Sequence, residues 1–218
     1  MKLNSIQEKL QRIDRFQKMP QMTPWVGDDY GVHTKRVLFI GESHYLPYES
    51  TIQKSINEWY GSSIKNLNAD EIAMTSTAKI VSERFNKNSI WRNPAKIIIS
   101  SFSDLPTGEN GNVYTNFAFY NFFQRPAETQ GKSIIVQSED LQVANDTLKK
   151  IVDILKPEVI VFLSTKAFNA CSRSDFDNSV YIDYSPHPGK QWWNRIAKKY
   201  DNKRGSEKFK WIIDTHIK

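Results

Sequence analysis

The sequence predicts an α/β protein: one domain built as a three-layer α/β/α sandwich around a central, mainly parallel, four-stranded sheet. Three observations carry this expectation. Short apolar runs rich in β-formers alternate with segments of helical spacing, the pattern of a parallel sheet covered on both faces. The 218 residues suit one domain with a real hydrophobic core. No internal repeat, low-complexity tract or Pro/Gly/Ser-rich linker divides the chain. The expected organisation is an N-terminal helix and arm over residues 1–34, a core over 35–200 and a basic C-terminal segment over 201–218.

The elements follow in order. Ile6, Leu10, Ile13 and Phe16 recur at spacings of three and four, which predicts one helix over Leu3 to Gln17, ended by Pro20 and Pro24. Arg36 to Ile40 is an apolar run stopped by Gly41 and reads as the first buried strand. Thr75 to Phe85 has helical spacing through Ala78 and Val81. Asn93-Pro94 reads as an N-cap followed by proline at the first helical position, opening a helix to about Phe102. Val113 to Phe119 is the second strand. Ser138 to Leu155 carries an apolar helical face and is stopped by Pro157. Val159 to Leu163 is the third strand, Thr165 to Cys171 a short helix, and Val180 to Tyr184 the fourth strand. Helical patterns then close the chain. Trp25 and Tyr30, in the arm, either roof a pocket or anchor the arm, and the segment Gly61 to Glu71 reads as an insertion.

Composition narrows the function classes. The net charge is +6. Between Lys190 and Lys218 nine Lys and Arg face three acids, so this stretch carries the whole excess. Such a patch attracts polyanions or is simply a solvated tail. Cys171 is the only cysteine, which excludes an intrachain disulfide and a thiolate-rich metal cluster and suits a reducing cytoplasm. No apolar run approaches membrane-spanning length, and the N-terminus lacks the apolar segment of a secretory signal. The four histidines (His33, His44, His187, His216) show no metal-ligand spacing, so no metal site is expected. There is no phosphate-binding GxxxxGK[ST] loop, and no GxGxxG follows a strand.

In parallel sheets the ligand site lies at the carboxyl ends of the strands. That rule selects Gly41 to Tyr45, Asn116 to Asn121, Ser164 with Thr165, and Ser185 to Gly189. These places carry the segments VLFIGESHYLP, VYTNFAFYNFFQRP, LKKIVDILKPEVIVFLSTKAF and YSPHPG. In order and spacing they resemble the motifs of the uracil-DNA glycosylase superfamily over roughly residues 35 to 200. The TNF…RP segment is similar to that of the iron–sulfur branches. Those branches need several cysteines, so the resemblance is to a cluster-free branch working without cofactor.

The resemblance implies a monofunctional DNA glycosylase acting on uracil or a related deaminated base, with DNA as partner and a monomeric state. Excision needs an extruded base, a donor for the charge that develops on it, and a water placed near the sugar. His187, held between two prolines, corresponds to the histidine that stabilises the leaving base; alone it could equally be a surface turn residue. Asn116 corresponds to the asparagine that reads the base edge, an amide supplying both donor and acceptor. Glu42 and Ser43 stand where the best-known branch places Gln and the water-orienting Asp; Ser43 is a much weaker base. Gly41, His44, Tyr45, Phe117 and Ser185 complete the implied substrate pocket. His44 replaces the usual proline, and Tyr45 matches a residue that excludes the thymine methyl. Lys190, Trp192 and Arg195 fall on the loop that enters DNA in the family, and suit a wedge with phosphate contacts; Trp192 and Trp193 otherwise read as core. The changed first motif keeps open a second reading, binding of nucleic acid or a nucleotide without uracil excision. A third is a small-molecule nucleoside or sugar-phosphate enzyme on the same fold.

Overall fold

The computed structural model of the chain describes residues 3–200 and 202–218. Met1, Lys2 and Asp201, the last of them one of the three C-terminal acids, lie outside the described residues.

The N-terminal segment forms α1 (Leu3–Gln11) and α2 (Asp14–Lys18). The expected single helix breaks at Ile13, whose extended backbone starts α2 afresh. The apolar stripe nevertheless survives, because Ile6, Leu10, Ile13 and Phe16 are all buried in one cluster. The arm contributes β1 (Trp25–Val26), and β2 (Val37–Gly41) follows. Four helices come next: α3 (Ile56–Gly61), α4 (Ala69–Thr75), α5 (Thr77–Arg84) and α6 (Ser89–Ser101). Helix α6 has its N-cap at Asn88 rather than Asn93 and takes Pro94 inside it. Asn93 is no cap; its Nδ2 donates to the Pro188 carbonyl at 2.9 Å.

The second strand is β3 (Ala118–Asn121), shifted towards the C-terminus from the expected Val113 to Phe119. Val113–Asn116 is a 3-10 turn instead. Asn112 Oδ1 accepts from the Tyr114 N–H, and Asn116 Nδ2 donates to the Pro106 and Val113 carbonyls. Two asparagines thus offer the backbone a local alternative to the sheet ladder. Then come α7 (Ser138–Leu155), β4 (Val159–Phe162), α8 (Thr165–Ala170) and β5 (Tyr181–Tyr184) as expected. The chain closes with a hairpin of β6 (Ile196–Ala197) and β7 (Lys203–Arg204) and with α9 (Gly205–Ile212). The hairpin replaces part of the expected terminal helical pattern.

The main sheet has five strands in the order β1-β3-β2-β4-β5, not four. Strand β1 pairs antiparallel at the edge, and the other pairings are parallel. Side chains alternate across the strands and fill two cores. Leu38, Ile40, Ala118, Tyr120, Ile160 and Phe162 pack with Leu10, Phe16, Leu148 and Ile151. Val37, Phe39, Phe119, Val159 and Val161 pack with Val81, Trp91, Ile98, Phe209 and Ile212. Helices therefore cover both faces, and both cores share the one sheet. Among the described residues no helix is long and apolar enough to cross a membrane.

Candidate functional site

The strand registers decide which residues meet. Gly41 lies opposite Asn121, Ile40 opposite Phe162, and Phe162 opposite Tyr184. Glu42, Asn121, Ser164 and the His187 turn therefore emerge together at the carboxyl edge. Asn116 does not. It precedes β3 by two residues, five residues from Asn121, which at about 3.3 Å per residue places it near the amino edge. It is fully buried, and its amide is spent on backbone carbonyls. The asparagine at the site is Asn121. A Cβ on Gly41 would stand 2.2 Å from Asn121 Oδ1, so the missing side chain at Gly41 is what lets that amide lie across the strand end. Among the described residues the Asn121 side chain has no hydrogen-bond partner, whereas its carbonyl accepts from Gln124 Nε2 at 2.7 Å.

Glu42 accepts two hydroxyl hydrogen bonds, from Ser164 Oγ at 2.7 Å and from Ser133 Oγ at 2.6 Å. Ser164 also caps α8, so this bond ties the carboxylate to a helix start. Ser133 belongs to the loop between β3 and α7, which hangs over the site on several bonds. Lys190 Nζ donates to the Gly131 carbonyl, Lys166 Nζ to Ile134 and Arg125 Nη2 to Ile135. Arg125 is itself fixed by a bidentate bond to Asp140, both side chains being fully buried.

His187 sits in a turn braced by the Asn93–Pro188 bond and by Gly205, which approaches Pro186 too closely to carry a Cβ. The Gly189 N–H donates to His187 Nδ1 at 3.0 Å. In the neutral ring that bond leaves the proton on Nε2. Burial holds the His187 pKa below its ordinary value; the Glu42 carboxylate pulls the other way and Lys190 adds to the lowering. A neutral imidazole with Nε2–H as its donor therefore stands within the field of Glu42. Tyr45 is half-buried beside the same carboxylate, its phenol pushed up by burial first and Glu42 second.

The remaining expected residues divide. Ser43 follows Glu42, half-buried and with no side-chain partner among the described residues. His44 turns into the core: it is 4% exposed and lies by the Met74 carbonyl and Arg15. Phe117 is buried edge-on against Phe39 in the core. Ser185 is fully buried, and its hydroxyl reaches only the Pro186 carbonyl. These three are no part of an open pocket, because packing claims them. Trp193 packs on Phe209, while Trp192 is 37% exposed beside Arg195, which donates to Gln191 Oε1.

Sequence reasoning selected the segment ending at Asn121 but gave that residue no role, and it missed Ser133. Asn121 could have been found as the last residue before the apolar run breaks into FFQRP, and Ser133 carried no signal. A cleft of about 610 Å³, lined by Lys35, Lys149, Asp177 and His216 among others, lies at the opposite edge, beside the amino ends of β4 and β5. Volume points there, but the carboxyl edge holds the convergent polar groups and obeys the rule for parallel sheets. Among the described residues no group of His, Cys, Asp or Glu is placed to hold a metal ion. No protein-family model matches the chain, and no curated protein matches it.

What fold and site define together is an α/β protein with a compact polar site at the carboxyl edge of its parallel strands. The site offers an amide, a carboxylate and a neutral imidazole donor.

Proposed function

We propose that the chain is a uracil-DNA glycosylase-like protein that receives an extruded nucleobase at the carboxyl edge and hydrolyses its bond to deoxyribose. The observation that carries this reading is the Gly189–His187 bond, which leaves a neutral Nε2–H donor within the field of Glu42. The four segments on which the family resemblance rests contribute to this edge. Asn121 takes the base-reading role first given to Asn116, offering donor and acceptor to the base edge. As the bond from sugar to base breaks, its electron pair goes to the base, and His187 Nε2–H stabilises the resulting oxyanion. Glu42 orients a water that attacks the sugar carbon and takes up the proton released.

A second reading, binding without excision, is favoured by one observation. Both oxygens of Glu42 already accept a serine hydroxyl, and Ser43 adds no further base. Single-turnover assays on labelled oligonucleotides containing uracil, hypoxanthine or xanthine separate the two. Excision by the wild type that falls about 100-fold or more in His187→Ala, the loss expected of an oxyanion donor, supports the first. Retained affinity for base-containing DNA with no excision from folded protein supports the second.

A further inference from the structure

The excess positive charge of the chain is gathered on an element that the site does not use. Hairpin β6–β7 lies between the His187 turn and α9 in the chain. Gly205, directly after β7, packs against Pro186 and the Trp192 carbonyl. Around it Lys190, Arg195, Lys198, Lys203 and Arg204 are exposed and have no carboxylate partner among the described residues. The neighbouring cations differ: Lys208 is paired with Asp183 at 2.9 Å and Lys210 with Asp214 at 2.7 Å. Among the described C-terminal residues the cations without an ion pair therefore concentrate on the hairpin and its approach.

An aromatic platform completes the strip. Trp211, on the outer face of α9, is 44% exposed. Lys203 Nζ lies 6.0 Å from its ring centroid, and the indole lines a notch of about 220 Å³ with Asp183, Lys203 and Lys208. His216 meets the same indole edge-on and itself stacks on Tyr181, which holds the platform in place. Ile196, at 63% exposure, is the exposed aliphatic side chain of the hairpin.

We propose that the β6–β7 hairpin and the Trp211 face of α9 bind single-stranded nucleic acid, with Trp211 stacking on a base and Lys203, Arg204 and Arg195 taking phosphates. Unpaired cations select a polyanion. The exposed indole beside them selects one that carries flat rings along its whole length, which polyphosphate lacks and nucleic acid has at every residue. A duplex keeps its base faces stacked inside, so only an unpaired strand can offer one to Trp211. This surface stands on its own observations, so its failure would leave the excision reading untouched, and the reverse.

The test is fluorescence anisotropy of the full chain with labelled oligothymidine and oligouridine of about 12 nucleotides, a blunt duplex, and polyphosphate as competitor. Trp211→Ala is expected to weaken single-strand binding about tenfold, with Trp211→Phe restoring most of it and duplex binding unchanged. Lys203→Gln is expected to lower the slope of log affinity against log salt by about 0.7, one phosphate contact on a single strand. That slope decides the matter should Trp211→Ala fail to fold. Wild-type affinity in folded Trp211→Ala, an unchanged slope in Lys203→Gln, or polyphosphate and duplex competing as well as the oligonucleotides would overturn the proposal.

Discussion

Acid should loosen this protein through one buried ring. His44 was expected in the pocket and lies instead in the core, with Nδ1 lacking a partner among the described residues and Arg15 close by. Burial, the largest cause, lowers its pKa from 6.5 to about 4, with the Met74 carbonyl opposing and Arg15 assisting. The unfolded chain therefore binds a proton below pH 6.5 that the folded chain refuses until pH 4. The stability that His44 contributes is complete above the unfolded value and is lost as the pH falls through this window. Two such values imply a loss of about 2 kcal/mol by pH 5 and about 3 kcal/mol below pH 4. The assay is urea denaturation of wild type and His44→Gln at about pH 7.5 and pH 5. Carboxylates titrate in both proteins, so the difference between them isolates the ring. His44→Gln should be the less stable at neutral pH, and its deficit should shrink by about 2 kcal/mol at pH 5. A deficit that stays constant over this range would refute the argument.

Three further substitutions separate scaffold from site. Asn116→Ala should cost about 1 kcal/mol in urea denaturation, through the lost bonds to Pro106 and Val113, and leave single-turnover excision unchanged, whereas Asn121→Ala should do the opposite. Arg125→Met leaves Asp140 buried and uncompensated and should cost roughly 3–5 kcal/mol, read as a shift in denaturation midpoint at constant slope.

The parts legible in the sequence are those where one period dominates. Val37 to Ile40 and Val159 to Phe162 are buried throughout, and a strand covered on both faces must read as an unbroken apolar run. The amphipathic α7 was legible for the matching reason: one side is core and the other is water. What escaped is short or side-chain driven. Two-residue strands such as β1, β6 and β7 leave no periodic trace. The start of β3 lies later than expected because Asn112 and Asn116 trap their own backbone in a turn, which leaves Asn121, not Asn116, at the carboxyl edge. His187 and Glu42 lie at the same edge because each sits within three residues of the end of a strand that was well marked. His44, two residues beyond Glu42, was misassigned because spacing does not say which way a loop side chain turns.

The loop over the site links these errors to the chemistry. Its anchor is the Arg125–Asp140 pair, deep in one core, yet its Ser133 hydroxyl ends on Glu42. A water oriented by Glu42 Oε1 must share that oxygen with Ser133 or displace it. Lys190, the cation nearest His187 in sequence, holds the same loop at Gly131. A phosphate that drew Lys190 away would remove one of the bonds that hold the loop and leave those from Lys166 and Arg125 in place. Hydrolysis by the free protein and hydrolysis by the nucleic-acid complex are accordingly different questions. On the proposed excision reading, a complex in which Lys190 exchanges the Gly131 carbonyl for a phosphate would weaken the hold of Ser133 on Glu42 and favour water at Oε1.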